Sequence, residues 1–176
     1  MSTDGMSCAN EGFPTTEHND MENTTGTMSN DHVVSELNDL IETCKDGEYG
    51  FRTCAEHAES AQIKSTFSSR ATECQRGASE LQALVTQLGG KADTGGSATG
   101  GMHRGWVAVL GTLSGGSDQK MLNEAERGED VALARYRDAI KKPLPANVMS
   151  VVRNQYDGVK RNHDQIRNLR DANKAR

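Results

Sequence analysis

The chain has 176 residues and a formal net charge of −5 at pH 7, and 26% of its residues are charged. It contains no apolar run near the roughly 20 residues that cross a bilayer. Its first residues also lack the basic and apolar regions of a secretory signal. We therefore expect neither a membrane span nor export, but a cytoplasmic protein with one domain and a tail.

Residues 1–30 form an acidic tail, with five Asp or Glu residues and no Lys or Arg. The whole chain holds 25 acidic and 20 basic residues, so the part after the tail is balanced at 20 of each. The tail is rich in Ser, Thr and Asn and has few side chains to pack, which predicts disorder. A solvated extension is the favoured interpretation, and an interaction arm is the alternative.

The rest of the chain is patterned for helices. No proline occurs between Pro14 and Pro143, and apolar residues recur every three or four positions through four segments. Ser29-Asn30-Asp31 offers side chains that cap the first helix, and Gly89-Gly90 ends the second. The pattern predicts an all-α domain with helices over about 31–58, 61–88, 119–141 and 146–172.

A long connection joins the second and third helices. Residues 89–116 contain ten glycines around a short apolar stretch with Trp106, which predicts a short extra helix in a crossover. The glycines do not form a phosphate-binding loop, because the Gly-Lys-Ser/Thr ending is missing and no strand is predicted before them. Two hairpins joined by one crossover predict a four-helix bundle over 31–172, followed by a flexible C-terminus at 173–176.

The four cysteines form no Cys-x-x-Cys pair and have no zinc-finger spacing. Cys8 belongs to the tail, whereas Cys44, Cys54 and Cys74 fall on the apolar stripes of the first two helices. Small buried thiols are therefore the favoured prediction, with a redox or metal role as the alternative.

One carboxylate interrupts the inward stripe of the third helix. The stripe steps by three or four residues, so Glu129 lies where an apolar side chain is expected. Burying an unpaired carboxylate is costly, so Glu129 needs a counter-charge, a proton or a metal ion. The members of the stripe are Leu122, Ala125, Glu129, Ala132, Tyr136 and Ala139.

Helical register brings other polar side chains near the level of Glu129. Residues equally distant from a hairpin turn lie side by side, which predicts that Glu48 is level with Glu73. The same counting in the second hairpin predicts that Glu126 is level with His163. Convergent carboxylates and an imidazole suit iron, manganese or zinc.

The alternative to a metal site is a metal-free network in which cations and hydrogen-bonding groups neutralise the acids. This network, or a solvated face, is favoured by the residues alone, because ion pairs perturb such sites as well. Its candidate members are Arg70, Arg76, Arg127, Tyr136 and Gln155.

Four short motifs occur in order along the domain: LNDLI at 37–41, DGEYGF at 46–51, HRGW at 103–106 and ERGED at 126–130. In this combination the chain resembles a bacterial family of ferritin-like four-helix-bundle proteins, a domain of unknown function. The resemblance spans about 31–172 and implies the ferritin-like fold. It implies no established activity.

Di-iron proteins of the wider ferritin-like superfamily carry one Glu on each of two helices and Glu-x-x-His on the other two. The chain departs from this pattern at two positions. Arg76 follows Glu73 by three residues, and Lys160 precedes His163 by three. Cations at these positions repel a metal, so an incomplete site is expected. The candidate ligands are Glu48, Glu73, Glu126, Glu129 and His163.

Two functions are compatible with the pattern. The first is a non-catalytic helical module that acts by binding or self-association, with a stress role suggested by superfamily analogy alone. The second is a metal-dependent oxidase or storage protein that uses iron, manganese or zinc at the candidate ligands. Homo-oligomers are compatible with an exposed seam of the bundle. The last helix is basic but lacks interleaved aromatic residues, so neither nucleic acid nor a membrane is expected as a partner.

Overall fold

The computed structural model describes residues 28–93 and 117–175, which fold into four helices. The all-α prediction is confirmed, and the described residues contain no strand. The acidic tail up to residue 27 and the predicted short crossover helix lie outside the described residues. In chain order the helices are α1 (Asn30–His57), α2 (Ala61–Gln87), α3 (Asp118–Ile140) and α4 (Ala146–Lys174).

The helix ends follow the local sequence. α1 continues without a break through Gly47 and Gly50, as the phase of its apolar stripe predicts. α2 ends two residues before Gly89, whose φ of 75° is strained for residues with a side chain and stops the helix. The N–H groups of Gly89 and Gly90 donate to the carbonyls of Thr86 and Val85, both at 3.0 Å. These bonds satisfy carbonyls that the helix leaves without partners.

The four helices form two antiparallel hairpins that pack side by side. α1 packs on α2 and α3 on α4, while α1 also contacts α3 and α2 contacts α4. None of the described helices is long and apolar enough to cross a membrane. The four-helix-bundle prediction is confirmed by this arrangement.

The hydrophobic core is divided into two clusters along the bundle. Both are built from all four helices, and the inward stripes of the sequence supply most of their members. The cluster near the turn between α3 and α4 includes Val33, Leu37, Leu81, Val85, Tyr136 and Val152. The cluster near the turn between α1 and α2 includes Phe51, Phe67, Met121, Leu122 and Ile166.

Contacts across the first hairpin confirm its predicted register. A Cβ placed on Gly47 would lie 2.9 Å from the Cys74 sulfur, and one on Gly77 would lie 3.4 Å from the Cys44 sulfur. Each thiol therefore packs over the glycine of the facing helix. This pairing of 47 with 74 also puts positions 48 and 73 at one level, as predicted.

The side-chain pairing in the second hairpin differs from the prediction. The predicted pairing placed His163 level with Glu126, but its ring nitrogen Nε2 lies 3.0 Å from a carboxylate oxygen of Asp130. Tyr136 likewise contacts Gln155, at 2.7 Å. The His163 side chain thus meets a residue about one helical turn beyond the one that residue counting predicted.

Candidate polar site in the middle of the bundle

A buried ion pair separates the two hydrophobic clusters. Glu129 of α3 is 1% exposed and Arg70 of α2 is 8% exposed. The Arg70 Nε donates to one oxygen of Glu129, and Nη2 donates to the other at 3.4 Å. The guanidinium carbon also lies 5.6 Å from the centre of the Phe51 ring, within the range of a cation–π contact. The prediction that Glu129 is buried is confirmed, and its counter-charge is Arg70.

A second carboxylate reaches the same guanidinium from the edge of the site. Glu73 accepts a hydrogen bond from Arg70 Nη1 at 3.5 Å and one from Asn162 Nδ2 at 2.5 Å. Its side chain is 41% exposed, in contrast to that of Glu129. Arg70 therefore lies between one buried and one half-exposed carboxylate.

Burial and charge act on Glu129 in opposite directions. Removal from water raises the pKa of the Glu129 carboxyl, and the neighbouring Arg70 guanidinium lowers it. Burial is the larger effect, so the Glu129 pKa lies above its ordinary value. Protonation of this residue is thus coupled to the integrity of the ion pair.

Next to the ion pair, a chain of hydrogen bonds runs from the interior to the surface. The Tyr136 hydroxyl donates to Gln155 Oε1 at 2.7 Å and lies 3.1 Å from the Cys44 sulfur. Because the hydroxyl proton is used toward Gln155, the Cys44 thiol donates to the Tyr136 oxygen. Gln155 Nε2 then donates to the Gly77 carbonyl at 3.2 Å and to Glu80 at 2.9 Å.

The same burial makes the core thiols and the tyrosine hard to ionise. Removal from water raises the pKa of Cys44. Burial also raises the pKa of Cys74, and that of Cys54 to about 12. The pKa of Tyr136 lies well above its ordinary value for the same reason. The prediction of three buried thiols is confirmed, and these groups are neutral at pH 7.

A cavity of about 470 Å³ opens beside these groups. All four helices line it, and each contributes one glycine: Gly47, Gly77, Gly128 and Gly158. Its charged lining residues are Arg70, Arg76, Arg161, Glu73, Glu80 and Glu129. The cavity lies at mid-bundle, the region where the sequence predicted convergent polar residues.

The five candidate metal ligands pair with other side chains in this structure, and only two of them share a partner. Glu73 and Glu129 meet through Arg70, as described above. Glu48 pairs with Arg52 one turn later on α1, and Glu126 pairs with Arg170. The two ring nitrogens of His163 face Asp130 and Asp164 at 3.0 and 3.4 Å.

The arrangement brings two of the five candidates together and leaves three apart. Within residues 28–93 and 117–175, no group of three or more His, Cys, Asp or Glu side chains is placed to hold a metal ion. The metal ligand set remains a prediction.

Several members of the site were missed from the sequence. Asn162 and Asp130 gave no signal, since a polar residue at a helix flank is common. The packing of each thiol on a glycine did have a sequence signal, because Cys44-x-x-Gly47 and Cys74-x-x-Gly77 repeat the same spacing on facing helices. A small residue one turn after each cysteine indicates a close helix contact.

The fold and the mid-bundle polar layer define a ferritin-like four-helix bundle. Residues 32–142, more than half of the chain, match the model of a family described as a domain of unknown function, DUF2383. The chain belongs to this family. The resemblance to a family of unknown function that was inferred from the sequence is thereby confirmed.

Two solved structures share the fold at low sequence identity. One is a two-domain protein from Anabaena variabilis with DJ-1/ThiJ/PfpI-like and ferritin-like domains, at a TM-score of 0.70 and 13% identity. The alignment covers 96% of this chain but 46% of that protein, so the chain spans less than half of its length.

The other structure is a dodecameric thioferritin, the bacterioferritin-related protein of Bacteroides fragilis. Its TM-score is 0.66 at 13% identity, over 85% of this chain and 91% of that one. At this identity both structures support the fold alone. A search of the curated proteins finds no match.

Proposed function

We propose that this protein is a non-catalytic ferritin-like module that acts by binding, with an ion pair at its centre in place of a metal. The supporting observation is Arg70, which brings a permanent positive charge between Glu73 and Glu129. A guanidinium neutralises buried carboxylates as a metal cation does, but it offers no open coordination position for oxygen or substrate chemistry.

Charge repulsion supports the same proposal. A divalent cation that binds Glu129 must displace the Arg70 guanidinium or approach it closely in a site shielded from water. Repulsion between like charges is strong there, since the effective dielectric constant is low. A metal ion that took over Glu129 would in turn leave the Arg70 guanidinium, which is buried in this structure, without its main partner.

A second candidate function is metal binding by a ferritin-like oxidase or storage protein. Its support is that Glu73 and Glu129, two of the five candidate ligands, already reach one cationic centre. Iron, manganese or zinc bound there would require Arg70 to move. Glu48 and Glu126 would also have to leave their arginine partners to complete the ligand set with His163.

Elemental analysis separates the two candidates. The purified protein is loaded anaerobically with ferrous iron, manganese or zinc, passed through a desalting column and compared with a Glu129→Ala/His163→Ala double variant. A matched control is Glu56→Ala/His57→Ala, which removes an acid and an imidazole from the exposed end of α1. Metal at background in all three proteins is the expected result. Stoichiometric metal in the wild type and the control, lost in the double variant, would overturn the proposal.

Self-association is part of the same proposal. The thioferritin of Bacteroides fragilis is dodecameric, and a bundle of this fold can pair through a helix face. Light scattering coupled to gel filtration tests this point, with a homo-oligomer expected. A monomer at every concentration would rule out self-association and restrict the proposal to the binding of another molecule.

A further inference from the structure

Among the described residues, one cation at the cavity has no acidic partner. The three lining carboxylates are each contacted from within the site: Glu129 by Arg70, Glu73 by Arg70 and Asn162, and Glu80 by Arg76 and Gln155. Arg161 also lines the cavity, but no acidic side chain in the part of the chain that the structure describes pairs with it. The lining holds three Arg and three Glu side chains and is formally neutral, but Arg70 is shared by two of the acids, which leaves the Arg161 guanidinium available to a ligand.

Arg161 is exposed and lines the cavity, so its side chain lies at the edge where the cavity meets solvent, which we call the mouth of the cavity. Its Nη2 atom would be 3.8 Å from a Cβ built on Gly158, one turn earlier on α4. The guanidinium thus folds back along the wall of the cavity. Asn154 lies one turn before Gly158 and lines the same mouth, so it adds an amide next to the cation.

Within residues 28–93 and 117–175, Gly158 has no close packing partner that explains it. A glycine inside a helix costs about 1 kcal/mol relative to alanine. Gly47 and Gly77 are explained by the thiols that pack on them. At Gly158, in contrast, the nearest atom that an added Cβ would meet is the flexible end of Arg161. A side chain at position 158 would therefore reduce the space at the cavity mouth.

The size and walls of the cavity suit a small organic molecule. Its volume of about 470 Å³ falls within the range of roughly 300–1,000 Å³ that is common for ligand pockets. Phe51, Ala132 and Val159 supply apolar wall, and the backbones of Gly128 and Gly158 present flat surface without side chains. A body of one aromatic ring is compatible with these dimensions.

We propose that this cavity binds a small organic anion. Its carboxylate or phosphate group pairs with the Arg161 guanidinium at the mouth, where a bidentate contact is available. Its apolar body lies inward, between the glycine backbones of α3 and α4 and the wall near Phe51. This inference rests on the proposed function, because it names the ligand class of a module that acts by binding.

Binding of four probes tests the inference: benzoate, phenyl phosphate, inorganic phosphate and benzyl alcohol. Each is titrated into the metal-free protein by calorimetry and by NMR. One or both aryl anions are expected to bind at millimolar concentration or below. Inorganic phosphate is expected to bind more weakly because it lacks an apolar body. Benzyl alcohol is expected to bind more weakly because it lacks a negative charge. The inference would be overturned if benzyl alcohol bound as tightly as the aryl anions, or if neither aryl anion bound.

Matched variants localise the binding. Arg161→Gln is expected to weaken aryl-anion binding by roughly three- to tenfold, the range for a partly exposed charge-assisted contact. Lys160→Gln removes the same charge from the neighbouring exposed position, which does not line the cavity, and should leave binding unchanged. Gly158→Leu should weaken binding by filling the mouth, with circular dichroism to verify the fold. Equal effects of Arg161→Gln and Lys160→Gln would overturn the assignment to this cavity.

The same preparation distinguishes this inference from the function on which it rests. Its metal content is measured after loading, as described above. Metal-free protein that binds neither aryl anion overturns the ligand class alone. Stoichiometric metal lost on removal of Glu129 overturns the proposed function instead.

Discussion

Glu129 and Arg70 join two helices, α3 and α2, that are not among the main packed pairs of the bundle. The main packed pairs are α1 with α2, α3 with α4, α1 with α3, and α2 with α4, so α2 and α3 face each other diagonally across the bundle. The ion pair spans this diagonal at mid-bundle. It therefore links the two hairpins at the level where the hydrophobic core is interrupted.

Removing one partner of this pair should be more harmful than removing both. Arg70→Met leaves the Glu129 carboxylate buried without a counter-charge, and we expect a loss of about 3–5 kcal/mol in the free energy of unfolding. Glu129→Leu should cost less, because Arg70 keeps Glu73 as a partner. The double variant should be more stable than Arg70→Met alone. Urea unfolding of the four proteins gives the coupling energy.

Arg76→Met is the control for these variants. Arg76 lies on the same helix with 77% of its side chain exposed, so its loss should leave stability nearly unchanged. Additive effects of Arg70→Met and Glu129→Leu would show that the two side chains do not depend on each other.

The raised pKa of Glu129 predicts a direction for the pH dependence of stability. A carboxyl whose pKa is higher in the folded state takes up a proton on folding. Its contribution is fully present below the ordinary value of 4.5 and declines as the pH rises toward the folded value. The stability of the wild type relative to Glu129→Gln should therefore fall as the pH rises from about 4.5. Unfolding curves of both proteins across this range test the sign, and a relative stability that increases with pH would contradict it.

The contact between Gly47 and Cys74 predicts that Gly47→Ala destabilises the wild type but stabilises a Cys74→Ala variant. In the wild type, Gly47→Ala places a methyl group 2.9 Å from the Cys74 sulfur, so we expect a loss of about 1–3 kcal/mol from overpacking. In a Cys74→Ala background the nearest remaining atom is the Cys74 Cβ position, at 3.9 Å. There, Gly47→Ala should stabilise the protein by up to about 1 kcal/mol through helix propensity. Thermal unfolding measures both.

Gly158→Ala is the matched case without a packed neighbour. It should stabilise the protein in either background, since the added methyl group meets only a flexible side chain. A destabilising effect of Gly47→Ala that persists after Cys74→Ala would rule out the sulfur contact as its cause.

The three core thiols should be unreactive in the folded protein. Thiolate is the reactive form, and burial raises the pKa of Cys54 to about 12 and that of Cys44 and Cys74 above the ordinary value of 9.0. In a Cys8→Ser variant, a disulfide reagent at pH 8 should detect no rapidly reacting thiol. The same reagent in denaturant should detect three. Rapid native reaction would show that the cavity gives reagents access to Cys44 or Cys74.

The helices and the buried carboxylate were predictable because they depend on local periodicity. The apolar stripes specify which face of each helix is buried, and Glu129 was expected to be buried because it interrupts such a stripe. The spacing of Cys44 and Cys74 on two stripes likewise predicted buried thiols. These inferences need no knowledge of how the two hairpins meet.

The partners of the buried groups depend on register, which the sequence specifies less well. Residue counting placed His163 level with Glu126 from Cα positions alone. Helical side chains lean toward the N-terminus of their own helix, so on the second helix of a hairpin they lean toward the turn. The side chain that meets a given residue therefore starts farther from the turn, which accounts for the direction of the difference. Arg70 belongs to the other hairpin, so its pairing with Glu129 depends on how the two hairpins meet, which residue counting within one hairpin does not specify.

Asp118, the first residue of α3, should stabilise the turn at the opposite hairpin. Its two carboxylate oxygens accept hydrogen bonds from the backbone N–H groups of Glu59 and Ser60, both at 2.9 Å. These groups lie just before α2, where a helix leaves N–H donors unsatisfied and favours negative charge. Asp118→Ala should therefore lower the free energy of unfolding by about 1–3 kcal/mol. Asp138→Ala removes an exposed carboxylate that contacts only its own helix end, and it should cause no measurable change. Equal urea midpoints for the two variants would show that the hydrogen bonds to Asp118 do not contribute to stability. A lower midpoint for Asp118→Ala than for Asp138→Ala would show that the Asp118 side chain helps to attach the second hairpin to the first.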